Sequence, residues 1–359
     1  MRDFLLSPPA YLGGGMDRDV VLVTGVRYSR TVDGYLFPWK LPIDEAIELR
    51  GRILDALKEL RGVSLASCLL DEVDRDIMVA LGERSLVEND GASGLAGAFA
   101  FAHDGQETYN LHEVDHLRIA RWVPGSGLRS AFDELRLMET GLDTVLGFAF
   151  STRFGFLTSR LQDAGSGLLL SAQVFLPGIL QSGLIERVAR GLLESGIEPH
   201  LSTGPAPSMS PEAFVWLSLH AHPGDDEDVL VDRFENALRT LAGGERRTRE
   251  RLFARDRVSL EDTTFRAAAI LRVARRLELG ECSRLLSAVR VGVSWGLLDA
   301  GCSSTGSDPY TWLDTLRLFA HPGHLRLRAA AKGGLPDGQD LNEFRATLVR
   351  DTFPHYLID

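Results

Sequence analysis

Every strong strand-like run in this 359-residue chain ends by Ala221, and the patterns after it are helical. That asymmetry predicts a mixed α/β unit followed by an all-helical one, with the boundary near residue 255. The chain accordingly divides into three parts, 1–19, 20–255 and 256–359, the first being a lead-in with Pro8, Pro9 and Gly13–Gly15 and little expected order. With 44% apolar and 25% charged residues it has enough apolar material for two cores. No internal repeat or low-complexity segment is visible.

Charge narrows the partners. A net charge of −11 and a pI near 5.4 argue against a dedicated nucleic-acid binder or an anionic membrane surface. Lysine occurs only at Lys40, Lys58 and Lys332, so arginine carries most of the positive charge and any single arginine is weak evidence for a site. Cys68, Cys282 and Cys302 are too widely spaced for a metal or redox pair, which suits a reducing compartment. The start of the chain has no basic region leading into an apolar run, and no apolar run reaches membrane-helix length. A cytoplasmic protein without a resident metal site is expected.

Within 20–255, Val20–Val26 (VVLVTGV) reads as a buried strand, followed by Arg27 and Arg30. Pro42 opens a helix whose apolar stripe includes Ile43, Ala46, Ile53, Leu57 and Leu60. Leu95–Ala102 reads as a strand that pairs through Gly105 with the stretch Asn110–Ala120. Leu128–Leu142 and Leu180–Leu193 are helical in pattern, Pro199–Pro211 is a proline-rich loop, and Ala213–Ala221 is a strand. The acidic run Asp225–Asp228 suits a helix N-terminus. Ser259-Leu-Glu-Asp262 looks like a capping box opening the C-terminal part, and further helices cover Glu281–Leu297, Pro309–Phe319 and Leu341–Arg350.

Two stretches can carry chemistry. Asn110–Ala120 reads N-L-H-E-V-D-H-L-R-I-A, and as a strand it would point Glu113 and Asp115 to one face. Neighbouring acids can do acid–base work or hold a cation, while a solvated sheet edge is the plainer explanation. Gly165-Ser166-Gly167 could bring backbone N–H groups to a phosphate, or simply turn into the next strand.

The motifs, taken in order, match one family. V-L-x-x-x-V-R-x-x-R at 21–30, E-x-D-H-L-R-I at 113–119, G-F-L-T-S at 155–159, G-S-G-L at 165–168 and L-P at 176–177 resemble the ATP:guanidino phosphotransferases. L-E-D at 260–262, V-R-V-G-V at 289–293 and F-R-A-T-L-V-R at 344–350 extend the likeness to the bacterial protein-arginine kinases, from about Val20 to Arg350. The resemblance implies an α/β fold of the α+β type: an antiparallel sheet flanked by helices, the guanidino-kinase catalytic fold, followed by an all-helical C-terminal domain through which dimers form. It also implies Mg·ATP as cofactor and transfer of its terminal phosphoryl group to a guanidinium. Arginines must clamp the phosphates, and carboxylates must hold the guanidinium until its proton can leave.

Carried over position by position, the implied site is incomplete. The family's S-S-R-x-R appears as Val23-Thr24-Gly25-Val26-Arg27, so one phosphate arginine is Gly25 and the other remains as Arg27. Its N-E-E-D-H-x-R-I keeps the first glutamate as Glu113, with Asp115 and the nucleotide-contacting Arg118, but the second glutamate is Val114. The active-site cysteine of C-P-T-N is Arg160, in Arg160-Leu161-Gln162-Asp163. G-T-G-L-R-A-S becomes Gly165-Ser166-Gly167-Leu168-Leu169-Leu170-Ser171, so a further arginine is Leu169. The R-G-x-Y-G-E segment falls loosely around Ala206, with no equivalent glutamate.

The residual nucleotide site is therefore Arg27, Arg118 and Gly165–Gly167, and the residual catalytic pair is Glu113 and Asp115. Valine cannot stand in for a carboxylate. Two readings follow: an impaired kinase, with or without nucleotide, that binds a protein partner as homodimer or heterodimer; or a working kinase acting on protein arginine, with Glu113 or Asp115 as base and Arg160 in the clamp. A third reading makes the helical domain a phosphoarginine reader at Leu341-Asn342-Glu343-Phe344-Arg345-Ala346, where ordinary helix packing is the simpler account.

Overall fold

A computed structural model of the chain describes all residues except 63–64, 88–95, 103–104, 202–212, 299–307, 336–338 and 354–359. In chain order its elements are α1 (Arg2–Leu6), β1 (Val21–Arg30), α2 (Ile43–Arg61), β2 (Ala66–Leu69), α3 (Arg75–Glu83), β3 (Ala98–Phe101), β4 (Glu107–Leu111) and β5 (Leu117–Pro124). There follow α4 (Leu128–Leu146), β6 (Phe150–Ser151), β7 (Gly155–Phe156), β8 (Leu168–Phe175), α5 (Pro177–Gln181), α6 (Ile185–Glu194), β9 (Glu198–Leu201) and β10 (Phe214–His220). The rest is helical: α7 (Glu227–Val273), α8 (Leu279–Ser294), α9 (Pro309–Phe319), α10 (Pro322–Ala331) and α11 (Leu341–Thr352).

Eight strands form one antiparallel sheet in the order β2-β3-β4-β5-β1-β8-β10-β9, with β6 and β7 a separate small hairpin. Alternation along each strand sends Val26, Ile119, Leu170 and Leu217 to one face, where α2, α4 and the first half of α7 cover them with Leu49, Ile53, Leu135, Phe234 and Leu238. Each such side chain contributes about 1.5–3 kcal/mol when fully buried. Among the described residues, the other face is covered at its two ends. Phe99 and Phe101 pack with Leu5, Ile77, Leu81 and Leu327, while Val23, Phe175 and Phe214 pack with Val291, Leu318 and Phe319 of the helical part. Between these two covers lie Arg27, Leu169 and His220.

Several expectations are corrected. The lead-in takes regular structure: α1 and a 3-10 turn at Ala10–Leu12 bury Leu5, Tyr11 and Leu12. Its Asp17–Asp19 end is held by Arg246 and Arg249 of α7. Arg290 of α8 donates to the carbonyls of Arg18 (2.7 Å) and Asp19 (3.0 Å) and pairs with Asp314, which also pairs with Arg18. Asn110–Ala120 is not one strand but the end of β4, a turn at 112–116 and the start of β5; His112 takes a left-handed φ of 51° to make that turn. Leu180–Leu193 splits into α5 and α6 around Gly183, whose φ is 67°. Ser259 and Asp262 sit within α7, which kinks earlier, at Asp256 (φ −128°, ψ 37°), so they cap nothing. Most of the Pro199–Pro211 loop, including Ala206, lies outside the described residues. Among the described residues, no helix is long and apolar enough to cross a membrane.

Candidate active site

Strand register decides which candidates meet. Arg27 on β1 lies level with Ala120 of β5 and Leu169 of β8, and Leu169 lies level with His220 of β10. One pleat lower are Trp122, Gly25, Ser171 and Ser218; one pleat higher, Arg118 stands opposite Ser29. All share one face, so the four positions marked by the family resemblance, Gly25, Arg27, Arg118 and Leu169, converge there.

Trp122 occupies the space above Gly25. A Cβ added at Gly25 would fall well inside van der Waals contact with the indole ring. Trp122 is itself held by Trp216, edge-to-face with ring centroids 6.0 Å apart, and by Tyr11 at 6.5 Å. An arginine at position 25 would require this indole to move.

Asp163, which the sequence argument passed over, lies at the centre. It ends a 3-10 turn, is 2% exposed, and places Oδ1 3.7 Å from Arg27 Nη2 and 3.3 Å from His220 Nδ1. Burial alone would raise its carboxyl, but His220, Arg27 and Arg118 together outweigh burial and hold it below the usual carboxylate range. The available signal was positional: His220 shares the parity of Leu169 across the β8–β10 pair, and Asp163 stands two residues before Gly165 of the glycine turn.

The two acids of the 112–116 turn go to different partners. Glu113 lies 3.4 Å from Arg118 Nη1, both nearly fully buried. Asp115 Oδ1 accepts the Ser159 N–H at 2.6 Å, and burial raises its carboxyl above the ordinary value. Val114 is buried between them in sequence. Both histidines of this stretch are structural. His116 Nδ1 accepts the Val32 N–H and its Nε2 meets Leu36 O at 2.8 Å, while His112 Nε2 meets Ala46 O at 3.0 Å. Burial pushes each imidazole down to about 4, so both are neutral at pH 7.

Gly165-Ser166-Gly167 is packed against protein. The Gly165 N–H bonds Phe156 O, the Ser166 carbonyl accepts from Arg30, and added Cβ atoms would press on Pro223 and Arg30. Gly165 and Gly167 take φ of 111° and 65°, which explains the glycines by turn geometry. Arg160 is half-buried in an extended conformation at the start of the 3-10 turn that carries Asp163. In the helical part, Arg345 is 2% exposed and donates to the carbonyls of Ala320 and Leu277 and to Asn342, as a packing residue would.

The space beside Arg27, Glu113 and Arg118 is a cavity of about 60 Å³, also lined by Asn110 and Trp122. At about 30 Å³ per liquid water it holds roughly two waters. A larger cavity of about 410 Å³ lies lower on the same face, between Trp122, Gln173 and Trp216 of the sheet and Arg317 and His321 of the helical part. Among the described residues, no group of three or more His, Cys, Asp or Glu side chains is placed to hold a metal ion.

Comparison with known proteins agrees with this layout. The family model described as ATP:guanido phosphotransferase, C-terminal catalytic domain, matches residues 50–248, and the one described as Protein-arginine kinase McsB C-terminal domain matches residues 257–356. A protein-arginine kinase from Halalkalibacterium halodurans is 27% identical over 339 residues, spanning 94% of this chain and 92% of its own. Another from Halothermothrix orenii is 25% identical over 345 residues, spanning 94% of each. The duplicated taurocyamine kinase from Schistosoma mansoni, solved with transition state analog components, superposes with a TM-score of 0.56 at 19% identity over 85% of this chain and 44% of that one. Lombricine kinase superposes with a TM-score of 0.54 at 17% identity over 67% and 70%. The structures speak for the fold alone, but the sequence match extends over more than half of the chain, and on that ground the chain belongs to the ATP:guanido phosphotransferase family.

Proposed function

We propose that this chain is a catalytically impaired relative of the protein-arginine kinases that works as a regulatory or binding subunit for another protein. The observation that carries the reading is that the retained clamp arginines face protein carboxylates. Arg27 meets Asp163 and Arg118 meets Glu113, with about 60 Å³ beside them. A phosphoryl-transfer site needs several cations aimed at the oxygens where charge develops. Here Leu169 and Gly25 supply none, and Trp122 covers the second position. Each missing donor costs about 10²–10³ in rate and a missing base about 10²–10⁴. The donor set does not fit Mg·ATP.

We place the division between catalytic fold and helical domain at 255/256, beside the kink of α7. Cytoplasmic residence and pairing with a like chain or an active kinase belong to the same proposal. Calorimetric titration with Mg·ATP and Mg·ADP tests it: no saturable binding up to millimolar nucleotide is expected. ATP-dependent phosphoarginine on a test protein, found by mass spectrometry and lost on Glu113→Ala, overturns it.

One observation favours the second reading, a kinase acting on protein arginine through a rearranged site. Asp115 has a raised carboxyl, and its Oδ2, like that of Asp163, has no hydrogen-bond partner among the described residues. A buried carboxyl of that kind can accept a proton from a guanidinium. Phosphoarginine formation abolished by Asp115→Asn would select it.

A further inference from the structure

The sheet face opposite Arg27 carries a feature that the phosphotransfer fold leaves unexplained. A groove of about 1050 Å³ runs between α5–α6 and the first half of α7. Its lining on α7 extends from Val229 to Thr248, about 28 Å at about 1.5 Å per helical residue. The floor is apolar, formed by Ile179, Leu184, Val188, Leu192 and Leu241, and Val229 stands 60% exposed at one end.

Two helix-interior glycines keep the groove open. Gly191 of α6 and Gly244 of α7 both line it, and a Cβ at either would meet nothing within 4 Å. Glycine there weakens a helix relative to alanine, so packing within this chain does not account for it. The wall formed by α6 is also lightly anchored. Its one buried residue is Leu192, and a second apolar cavity of about 210 Å³ lies on its far side, against Pro199 and Val215.

Charge selects the occupant. Arg187 on one wall and Arg233 and Arg247 on the other have no ion pair or side-chain hydrogen bond among the described residues. The carboxylate in the lining, Asp232, is drawn away to Arg129 of α4 at 2.6 Å. In a chain of net charge −11, this groove is cationic. Both walls are helices with their backbone groups already bonded, so an extended peptide would bury unpaired amides there, whereas a helix brings its own hydrogen bonds.

We infer that this groove receives an amphipathic α-helix of a partner protein, its apolar stripe flanked by glutamate or aspartate and set between Arg187 on α6 and Arg233 and Arg247 on α7. The inference goes beyond the reading of the Arg27 face and stands whether or not nucleotide binds there.

The test uses the full chain and a fluorescein-labelled 18-residue helical probe peptide with leucines at i, i+3, i+4 and i+7 and glutamates flanking them. A second peptide carries lysine for glutamate. The glutamate peptide is expected to bind at least tenfold more tightly by fluorescence anisotropy. The triple change Arg187→Glu, Arg233→Glu, Arg247→Glu is expected to reverse that preference, and Gly244→Leu to weaken the glutamate peptide at least tenfold. Circular dichroism and Tm check the fold of both variants; the charge changes lie on exposed side chains and decide the matter if the filled variant does not fold. Equal binding of the two peptides, or binding unmoved by the charge reversal, overturns the inference. So does light scattering that shows a dimer dispersed by the same charge reversal, since a second copy of this chain would then be the occupant.

Discussion

Replacing Asp163 by asparagine separates a carboxylate that neutralises the clamp from one that merely fills space. The side chain keeps its size, but the negative charge between Arg27 (3.7 Å) and His220 (3.3 Å) is removed. Hydrogen bonds to charged groups contribute about 1.5–3 kcal/mol each, and these contacts are at the long end of the range, so a loss of about 1–3 kcal/mol is expected at pH 7. The sign with pH follows from the lowered carboxyl. A carboxyl lowered in the fold stabilises fully above its unfolded value of about 3.9 and loses that contribution as pH falls through the folded value. Urea denaturation should therefore show wild type and variant apart at pH 7 and converging below about pH 4. The same change should open the clamp to anions: removing the internal competitor, at about 1.4 kcal/mol per tenfold, should tighten inorganic phosphate binding about tenfold or more by calorimetry. A variant as stable as wild type at pH 7, with unchanged phosphate affinity, refutes the idea that Asp163 occupies the clamp.

Restoring arginine at position 25 should fail alone: Gly25→Arg collides with Trp122 and should cost about 1–3 kcal/mol by denaturation, with part recovered in the double change with Trp122→Ala. Because burial holds His112 and His116 near 4, the unfolded chain takes up protons below about pH 6.5 that the folded chain refuses. Stability should then be complete above that pH and fall by about 1.4 kcal/mol per pH unit per histidine toward pH 4, with a shallower fall in His116→Gln; a flat profile between pH 6.5 and 5 counts against this account. Arg290→Met leaves Asp314 buried with one partner fewer and frees two carbonyls of the lead-in, so about 3–5 kcal/mol and a clear drop in Tm are expected.

Much of the fold was legible because local periodicity and tertiary environment agree in it. The β-branched run from Val21 to Val26 is buried throughout, and Ala46, Ile53 and Leu57 of the next helix are buried as their period places them, although Ile43, Ile47 and Leu60 stand exposed and Leu49 is buried instead. Legibility failed where a backbone device interrupts a pattern. Leu111, Leu117 and Ile119 suggested one strand, but the left-handed His112 folds the segment back on itself and sends Glu113 and Asp115 to separate partners. The lead-in, rich in proline and glycine, was misjudged because its order depends on Arg246, Arg249 and Arg290, far along the chain.

The sequence by itself determined the family, the antiparallel sheet with its helical sequel, and the absence of arginine at positions 25 and 169 and of glutamate at 114, because these depend on residue identity and order along one strand or turn. Only the tertiary structure decided what stands in their place. Trp122 over Gly25 and Asp163 between Arg27 and His220 are meetings across strand pairs and a turn, and no local pattern records such pairings because they arise from register and burial after the chain has closed.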